Sequence, residues 1–300
     1  MSSAPRPDLG TVGPYELRAV LGRGGMGTVY RAWSPRHGRE VALKLCAPGL
    51  ASAEDCARLV REARLLAGVD HPFLIGFLDA GESRATPYLV MELVEGETLA
   101  STWARDPLWD PARAVSLVRQ LAEGAGELHR LGIVHRDLKP ANVLLDRRGS
   151  PQIADLGLAG GEAMSRLTQT GAVVGTPAYM APEQVMAGRL TPATDVYALG
   201  VILFQLLTGR LPFTGHTPLQ LLTQQLEARP PSVRALCPAA GPELAALVAC
   251  CLEKDPGDRF PDGAGLARAL DELSRADPRG GVPPAAPQRL TFVAALAAVA

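Results

Sequence analysis

The stretch His135-Arg136-Asp137-Leu138-Lys139-Pro140-Ala141-Asn142 packs a carboxylate, an ammonium and an amide into the six positions from Asp137 to Asn142. Such a loop can bring a hydroxyl acceptor, a phosphate clamp and a metal ligand into one small volume. Further on, Asp155-Leu156-Gly157 follows a strand-like Gln152–Ala154. A carboxylate at a strand end before glycine suits a hard cation such as Mg2+, which takes one or two carboxylates plus phosphate oxygens. Upstream, Gly22-Arg23-Gly24-Gly25-Met26-Gly27-Thr28-Val29 has glycine where a hairpin must come close to a polyphosphate and offer it backbone N–H groups. Taken alone it reads equally well as a flexible hairpin. It lies between two expected strands and does not open a helix, which argues against a dinucleotide-binding turn. Val41-Ala42-Leu43-Lys44 begins an apolar strand end in which a lysine is costly without an anionic partner. Glu62, one turn before Leu66, is a candidate partner; taken singly it reads as a solvated helix face, with Arg58, Arg61 and Arg64 nearby.

Composition sharpens this. Of 30 basic residues only Lys44, Lys139 and Lys254 are lysines. Where arginine supplies generic positive charge, a retained lysine points to a site that needs a compact ammonium and not a planar fork. The net charge is −1, so no global basic field exists to hold nucleic acid. Five cysteines lack any CxxC pair and are odd in number, so neither a zinc site nor a disulfide framework is indicated. Hydrophobic residues at 47% allow a sizeable core and exclude wholesale disorder. Residues 1–14 lack the apolar stretch of a secretory signal.

The elements that must position these residues fall into two groups. Strands are expected at Tyr15–Leu21, Gly27–Trp33, Glu40–Leu45, 73–79 and 87–93, with one helix over 52–68 opened by the Ser52/Asp55 capping signature. After Gly96 the pattern turns helical. A helix over 111–131 follows Asp110-Pro111, and 194–208 is almost wholly apolar, a buried helix. Further helices are expected near 217–228, 242–253 and 263–274, with short strands and polar turns over 133–160. Residues 276–288 have linker composition. The apolar run 291–300 would rise only about 15 Å as a helix, half a hydrocarbon core. It reads as the first half of a spanning helix with Arg289 on the cytoplasmic side, or as an apolar tail.

The four motifs, in this order, resemble the protein kinase signature set. Ala181-Pro182-Glu183, Asp195 and Arg259 extend the resemblance over about residues 15–273. More narrowly, the chain resembles bacterial eukaryotic-like serine/threonine protein kinases of the membrane-anchored type. Lys139 two residues after Asp137, and Gly175-Thr176-Pro177, fit serine/threonine specificity in that family. The fold implied is α+β and bilobal: a disordered 1–14, a small β-rich lobe with one helix over about 15–94, a larger helical lobe over about 95–273, a Pro/Gly-rich juxtamembrane linker over 274–290 and the apolar 291–300. A pseudokinase reading meets the presence of the lysine and both aspartates. A small-molecule phosphotransferase reading meets the segment closed by Ala181-Pro182-Glu183.

The resemblance also implies roles. Asp137 would orient the substrate hydroxyl and accept its proton, and Lys139 would neutralise charge on the γ-phosphoryl group of ATP. Lys44, paired with Glu62, would contact the α- and β-phosphates. Asn142 and Asp155 would hold Mg2+, with Mn2+ as a substitute. Leu21 and Gly22-Arg23-Gly24-Gly25-Met26-Gly27 would cover the nucleotide. Val29, Ala42 and Leu144 would sandwich adenine, with Met91 behind and Glu92–Val94 as the hinge. Glu183 would brace the large lobe through Arg259. Thr168 and Thr170 would be activation-loop phosphosites whose phosphate docks on Arg136. Leu156 stands where many kinases have phenylalanine, and His135 reads as a packed structural histidine. Partners implied are protein substrates, a second copy of the chain through the back of the small lobe, and a membrane through the C-terminal segment; the kinase lobes themselves would be cytoplasmic.

Overall fold

The computed structural model describes residues 9–24, 27–46, 66, 68–84, 86–155 and 177–276. These fall into two compact units. One holds the described residues through His71 together with Ile75–Glu95; the other holds Pro72–Leu74 and the described residues from Gly96 onward.

The first unit is a six-stranded antiparallel sheet made of β1 (Thr11–Val12), β2 (Tyr15–Gly24), β3 (Gly27–Ser34), β4 (Arg39–Cys46), β5 (Phe77–Ser83) and β6 (Thr86–Glu92). Its spatial order is β1-β2-β3-β4-β6-β5. Alternation along the strands sends Tyr15, Leu17, Ala32, Val41, Leu43, Tyr88 and Val90 into one buried cluster. The helix expected over 52–68 lies outside the described residues except at Leu66, which is helical and buried, and Gly68, which is in a turn.

The second unit is mainly helical. A small sheet of β7 (Gly96–Thr98), β8 (Val143–Asp146) and β9 (Pro151–Ile153) accompanies α1 (Leu99–Arg105), α2 (Pro111–Arg130), α3 (Pro182–Val185), α4 (Pro192–Thr208), α5 (Pro218–Glu227), α6 (Val233–Leu236), α7 (Gly241–Cys251) and α8 (Gly263–Ala276). Asp110 caps α2 by accepting from the Ala112 and Arg113 N–H groups, with Pro111 following as the first helical residue. The stripe Ala114, Leu117, Val118, Leu121, Ala125 and Leu128 is buried as its spacing predicts. On α4 every residue from Ala193 to Leu207 is buried, and Gly209 ends it with a left-handed φ of 70°. Among the described residues no helix is long and apolar enough to cross a membrane. The α+β class and the bilobal division into a β-rich and a helical part thus match the sequence expectation.

Several elements differ from it. Residues 1–14 were expected to be disordered, yet Thr11 and Val12 form β1, held by pairing with Glu16 and Tyr15 of β2. The short helices α3 and α6 were not anticipated. The strand expected at 73–79 forms at Phe77–Ser83. Phe73 and Leu74 are instead taken into the second unit: the Ile153 N–H donates to the Phe73 carbonyl at 2.9 Å, and Leu74 bridges Ile153 in parallel. Helix α1 was not anticipated. The Thr98 hydroxyl caps it by accepting from the Ser101 N–H.

Candidate functional site

In the sheet unit, β4 presents Val41 and Leu43 to the core cluster, so alternation turns Ala42 and Lys44 to the opposite face. Register places Val29 and Leu89 directly across from Lys44, and Met91 across from Ala42. Val29, Ala42, Lys44 and Met91 therefore share one sheet face. Lys44 is only 9% exposed, a buried lysine on that face. The hairpin β2–β3 brings Gly22 opposite Val29 and Gly24 opposite Gly27. Gly27 admits no side chain: its φ is 139°, and a Cβ there would lie 2.1 Å from the Leu45 carbonyl oxygen. Leu21 is half-buried and Arg23 exposed on the same hairpin. Glu92, at the end of β6, receives an ion pair from Arg39 at 2.8 Å, and its N–H donates to the Gly76 carbonyl at 2.8 Å. Val94 is half-buried in the segment that follows. Glu62, Gly25, Met26, Thr168 and Thr170 lie outside the described residues.

In the helical unit, three expected residues are in direct contact. The Lys139 ammonium donates to both carboxylate oxygens of Asp137, at 2.9 and 3.1 Å. Asn142 Nδ2 donates to the Asp137 carbonyl at 2.7 Å and to its Oδ2 at 2.9 Å. With the amide nitrogen committed to Asp137, Asn142 Oδ1 is turned away from it as an acceptor. Asp155 is anchored beside this cluster through its neighbour: the Ala154 N–H donates to the Asn142 carbonyl at 2.9 Å, and the Ala154 carbonyl accepts from His135 Nε2 at 3.1 Å. Asp155 itself has a φ of 59°. Leu144 is half-buried on β8.

The loop carrying Asp137 is fastened from beneath. Asp195, 1% exposed on α4, accepts from the His135 N–H at 2.7 Å, the Arg136 N–H at 2.9 Å and His129 Nε2 at 2.9 Å. His129 Nδ1 accepts from the Gly263 N–H at 3.0 Å, so the proton must sit on Nε2, facing the carboxylate. His135 is fixed the same way: Nδ1 accepts from the Asp137 N–H at 3.3 Å and Nε2 donates to Ala154. Both nitrogens of His135 are spent on backbone, so it is a structural histidine, as the sequence suggested. Gly263 is required by close approach, since a Cβ there would lie 2.5 Å from the Ala122 carbonyl oxygen and 2.6 Å from the Gly126 nitrogen. The left-handed backbone at Arg136, φ 68°, is unusual for a residue with a side chain and is over-determined by these bonds.

A second buried assembly braces this unit. Arg259 grips Glu183 through two parallel bonds of 2.9 Å. Its remaining donors go to the carbonyls of Ala193, Glu253 and Lys254, so all five N–H groups are satisfied. Thr194 donates to the same Glu183 carboxylate at 2.8 Å. The guanidinium stacks 4.9 Å from the Tyr197 ring centroid, and burial pushes the Tyr197 hydroxyl above its ordinary range. The Tyr197 hydroxyl donates to Gln225, whose amide donates to the Ala178 carbonyl at 2.8 Å. Lys254 donates to the Gln225 carbonyl at 2.8 Å and stands over the Phe213 ring. Burial, and then the Arg259 charge, lower its ammonium to about 8.

His129, Gln184 and Gln225 escaped the sequence reading. Each is a polar residue on a helix whose partner lies far away in the chain, and no local pattern marks it. A groove of about 740 Å³ beside α5, lined by Thr214, His216, Leu219 and Gln224 among others, contains none of the residues singled out from sequence.

Chemically, the Asp137 cluster offers a carboxylate acceptor, an adjacent ammonium and an amide oxygen, with the backbone before Asp155 tied to Asn142 and His135. The donors at Asn142 and Asp155 are oxygen only, which fits Mg2+ or Mn2+ and not a thiolate- or imidazole-bound metal. Among the described residues no group of three or more His, Cys, Asp or Glu side chains could hold a metal unaided.

Comparison with known proteins bears on these residues. The family described as protein kinase domain matches residues 15–268. The serine/threonine-protein kinase PknL of Mycobacterium tuberculosis is 37% identical over 261 residues, covering 87% of this chain and 65% of that protein. Serine/threonine-protein kinase pkn2 of Myxococcus xanthus is 40% identical over 289 residues, covering 92% and 35%. Serine/threonine-protein kinase PrkC of Bacillus subtilis is 35% identical over 266 residues, covering 88% and 41%. The chain spans less than two thirds of the length of each of these relatives.

Proposed function

From the premise that this chain belongs to the protein kinase domain family, alongside bacterial eukaryotic-like serine/threonine kinases, we propose that it transfers the γ-phosphoryl group of ATP to serine and threonine hydroxyls of proteins. Use of ATP with a divalent cation is general to the family; Mg2+, with Mn2+ as a substitute, is our reading of the cation. One observation carries the proposal. Asp137, Lys139 and Asn142 are bonded to one another on a loop fastened by the buried Asp195.

In the proposed reaction Asp137 accepts the proton of the substrate hydroxyl. That oxygen bonds to the γ-phosphorus as the bond from phosphorus to the β–γ bridging oxygen breaks, and ADP departs. The Lys139 ammonium, already beside the acceptor, meets the charge on the transferring group. Such a reaction needs mainly positioning and fixed charge, and this cluster is organised to supply both. Lys44 is assigned to the α- and β-phosphates, with Glu62 as its partner. Leu21, Gly22, Arg23, Gly24, Gly25, Met26 and Gly27 are assigned to covering the nucleotide. Val29, Ala42, Met91 and Leu144 are assigned to adenine, and Glu92 and Val94 to its edge. Asn142 and Asp155 would hold the cation, which when bound offsets phosphate charge. The buried Glu183–Arg259 pair is assigned a structural role.

The test is phosphoamino-acid analysis of proteins labelled by the purified chain with radioactive ATP. Label on serine or threonine, lost with a chelator and restored by Mg2+, is expected. Tight nucleotide binding with no transfer to any protein would make it a scaffold and contradict the reading.

Activation by autophosphorylation at Thr168 or Thr170 is part of the same proposal, supported by their place between Asp155 and Glu183. A T168A/T170A double variant that keeps full activity would contradict it. We read residues 291–300 as the start of a membrane anchor on sequence alone. Recovery of the native gene product from the membrane fraction only with detergent tests that reading.

A further inference from the structure

We infer that Gln184 is a positioning residue for the Asp137 carboxylate, acting through the peptide that joins Arg136 to Asp137. The inference rests on the assignment of Asp137 as proton acceptor.

That peptide is held at both ends. Its carbonyl, from Arg136, accepts from Gln184 Nε2 at 2.7 Å. Its N–H, from Asp137, donates to His135 Nδ1 at 3.3 Å. The preceding peptide is held as well, since the Arg136 N–H donates to Asp195 Oδ1 at 2.9 Å. Arg136 sits between these two peptides at φ 68°, a conformation that relaxes toward the ordinary region if its restraints are loosened. Relaxation there would rotate the Arg136–Asp137 peptide and swing the Asp137 side chain with it. Of the bonds that prevent this, the one from Gln184 is the shortest to that peptide and comes from a different part of the chain.

Gln184 is itself well fixed. It is 7% exposed. Its Oε1 accepts from the Ala181 N–H at 3.0 Å, and its own N–H donates to the Ala181 carbonyl at 2.9 Å. Its neighbour Glu183 is locked onto Arg259. The carboxamide thus works as a two-ended strut. The oxygen reads the start of α3, and the nitrogen supports the carbonyl next to the acceptor. Only an amide of this length offers an acceptor and a donor at those two points. A displacement of the acceptor by even about 1 Å costs up to about 100-fold in rate.

The test compares wild type with Gln184→Glu and Gln184→Met. Glutamate retains the acceptor for the Ala181 N–H and replaces the donor to Arg136 with a carboxylate oxygen that cannot bond to that carbonyl. Methionine keeps the bulk and removes both. For each protein the stoichiometry and affinity of Mg-ATP binding are measured by calorimetry, and kcat for transfer to protein is expressed per nucleotide-binding molecule. We expect kcat so normalised to fall about tenfold or more in both variants, within the range positional errors produce, while Mg-ATP affinity stays at the wild-type value. A purely structural role would lower the fraction of molecules that bind nucleotide and leave normalised kcat unchanged, and that result overturns the inference. So does a Glu variant at the wild-type rate beside an impaired Met variant, because the Arg136 bond would then be irrelevant. A wild-type chain that binds Mg-ATP and transfers no phosphoryl group overturns the proposed function, and this inference with it, and is recognisable as such because the variants play no part in it.

Discussion

The Lys139 ammonium lies 2.9 Å from Oδ2 of Asp137 and 3.1 Å from Oδ1, so the proposed proton acceptor and the proposed phosphate clamp hold each other. Both side chains are partly exposed, and an ion pair in that setting adds little to stability, about 0–1 kcal/mol. Under the proposed function its value is in the reaction. A Lys139→Met protein is expected to unfold within about 1 kcal/mol of wild type. Its kcat should fall by about 100- to 1,000-fold, the scale for losing one preorganised charge-stabilising donor. Denaturant titration and steady-state kinetics on the same preparation check both halves.

The Glu183–Arg259 pair should behave in the opposite way. It is fully buried and every guanidinium N–H is used. Arg259→Ala leaves a buried carboxylate that still accepts from Thr194 but has lost its counter-charge, and a loss of about 3–5 kcal/mol in unfolding free energy is expected. Replacing both residues with apolar ones of similar size should cost less than either single change. Thermal and urea unfolding of the two single variants and the double variant measure this.

Asp195 collects three N–H donors on one carboxylate. Asp195→Asn keeps the shape but offers an NH2 group where at least one donor now points. Each hydrogen bond to a buried charge contributes about 1.5–3 kcal/mol, so destabilisation in that range is expected, together with reduced transfer activity because the loop under Asp137 loosens. A variant with wild-type stability and rate would contradict the clamp.

Much of this was legible in the sequence, for a physical reason. Asp137, Lys139, Asn142 and Asp155 sit within short segments whose residue types suit phosphate and cation chemistry and whose order resembles the protein kinase signature set, and strand alternation around Lys44 follows from the apolar pattern of β4. Arg259 and Glu183 were reachable only through the family resemblance, since 76 residues separate them. His129, Gln184 and Gln225 were not reachable at all. Their bonds run to Asp195, Arg136 and Ala178, and a lone polar residue on a helix reads as solvated until tertiary packing buries it. The misplaced strand at 73–79 has the same origin. Phe73 and Leu74 look like strand residues but pair with Ile153, a partner that local periodicity does not reveal.

Lys254 gives a pH signature. Burial and the Arg259 charge hold its ammonium at about 8 in the folded chain, against an ordinary 10.5, with Glu253 pulling the other way. Between those values the unfolded chain binds more protons than the folded one, so this group makes stability rise with pH across that window; below about 8 both states are protonated and its contribution is flat. The difference in unfolding free energy between wild type and Lys254→Met is therefore expected to grow in favour of wild type from pH 8 to 10. A difference that stays constant over that span would contradict the assignment.

The most direct measurement is transfer of radioactive phosphate from Mg-ATP to protein by wild type and by Asp137→Asn, with Mg-ATP affinity determined for both. The account predicts serine or threonine labelling by wild type, a fall of about 100- to 10,000-fold in the variant, and affinities that agree. A variant that labels protein at the wild-type rate would contradict it.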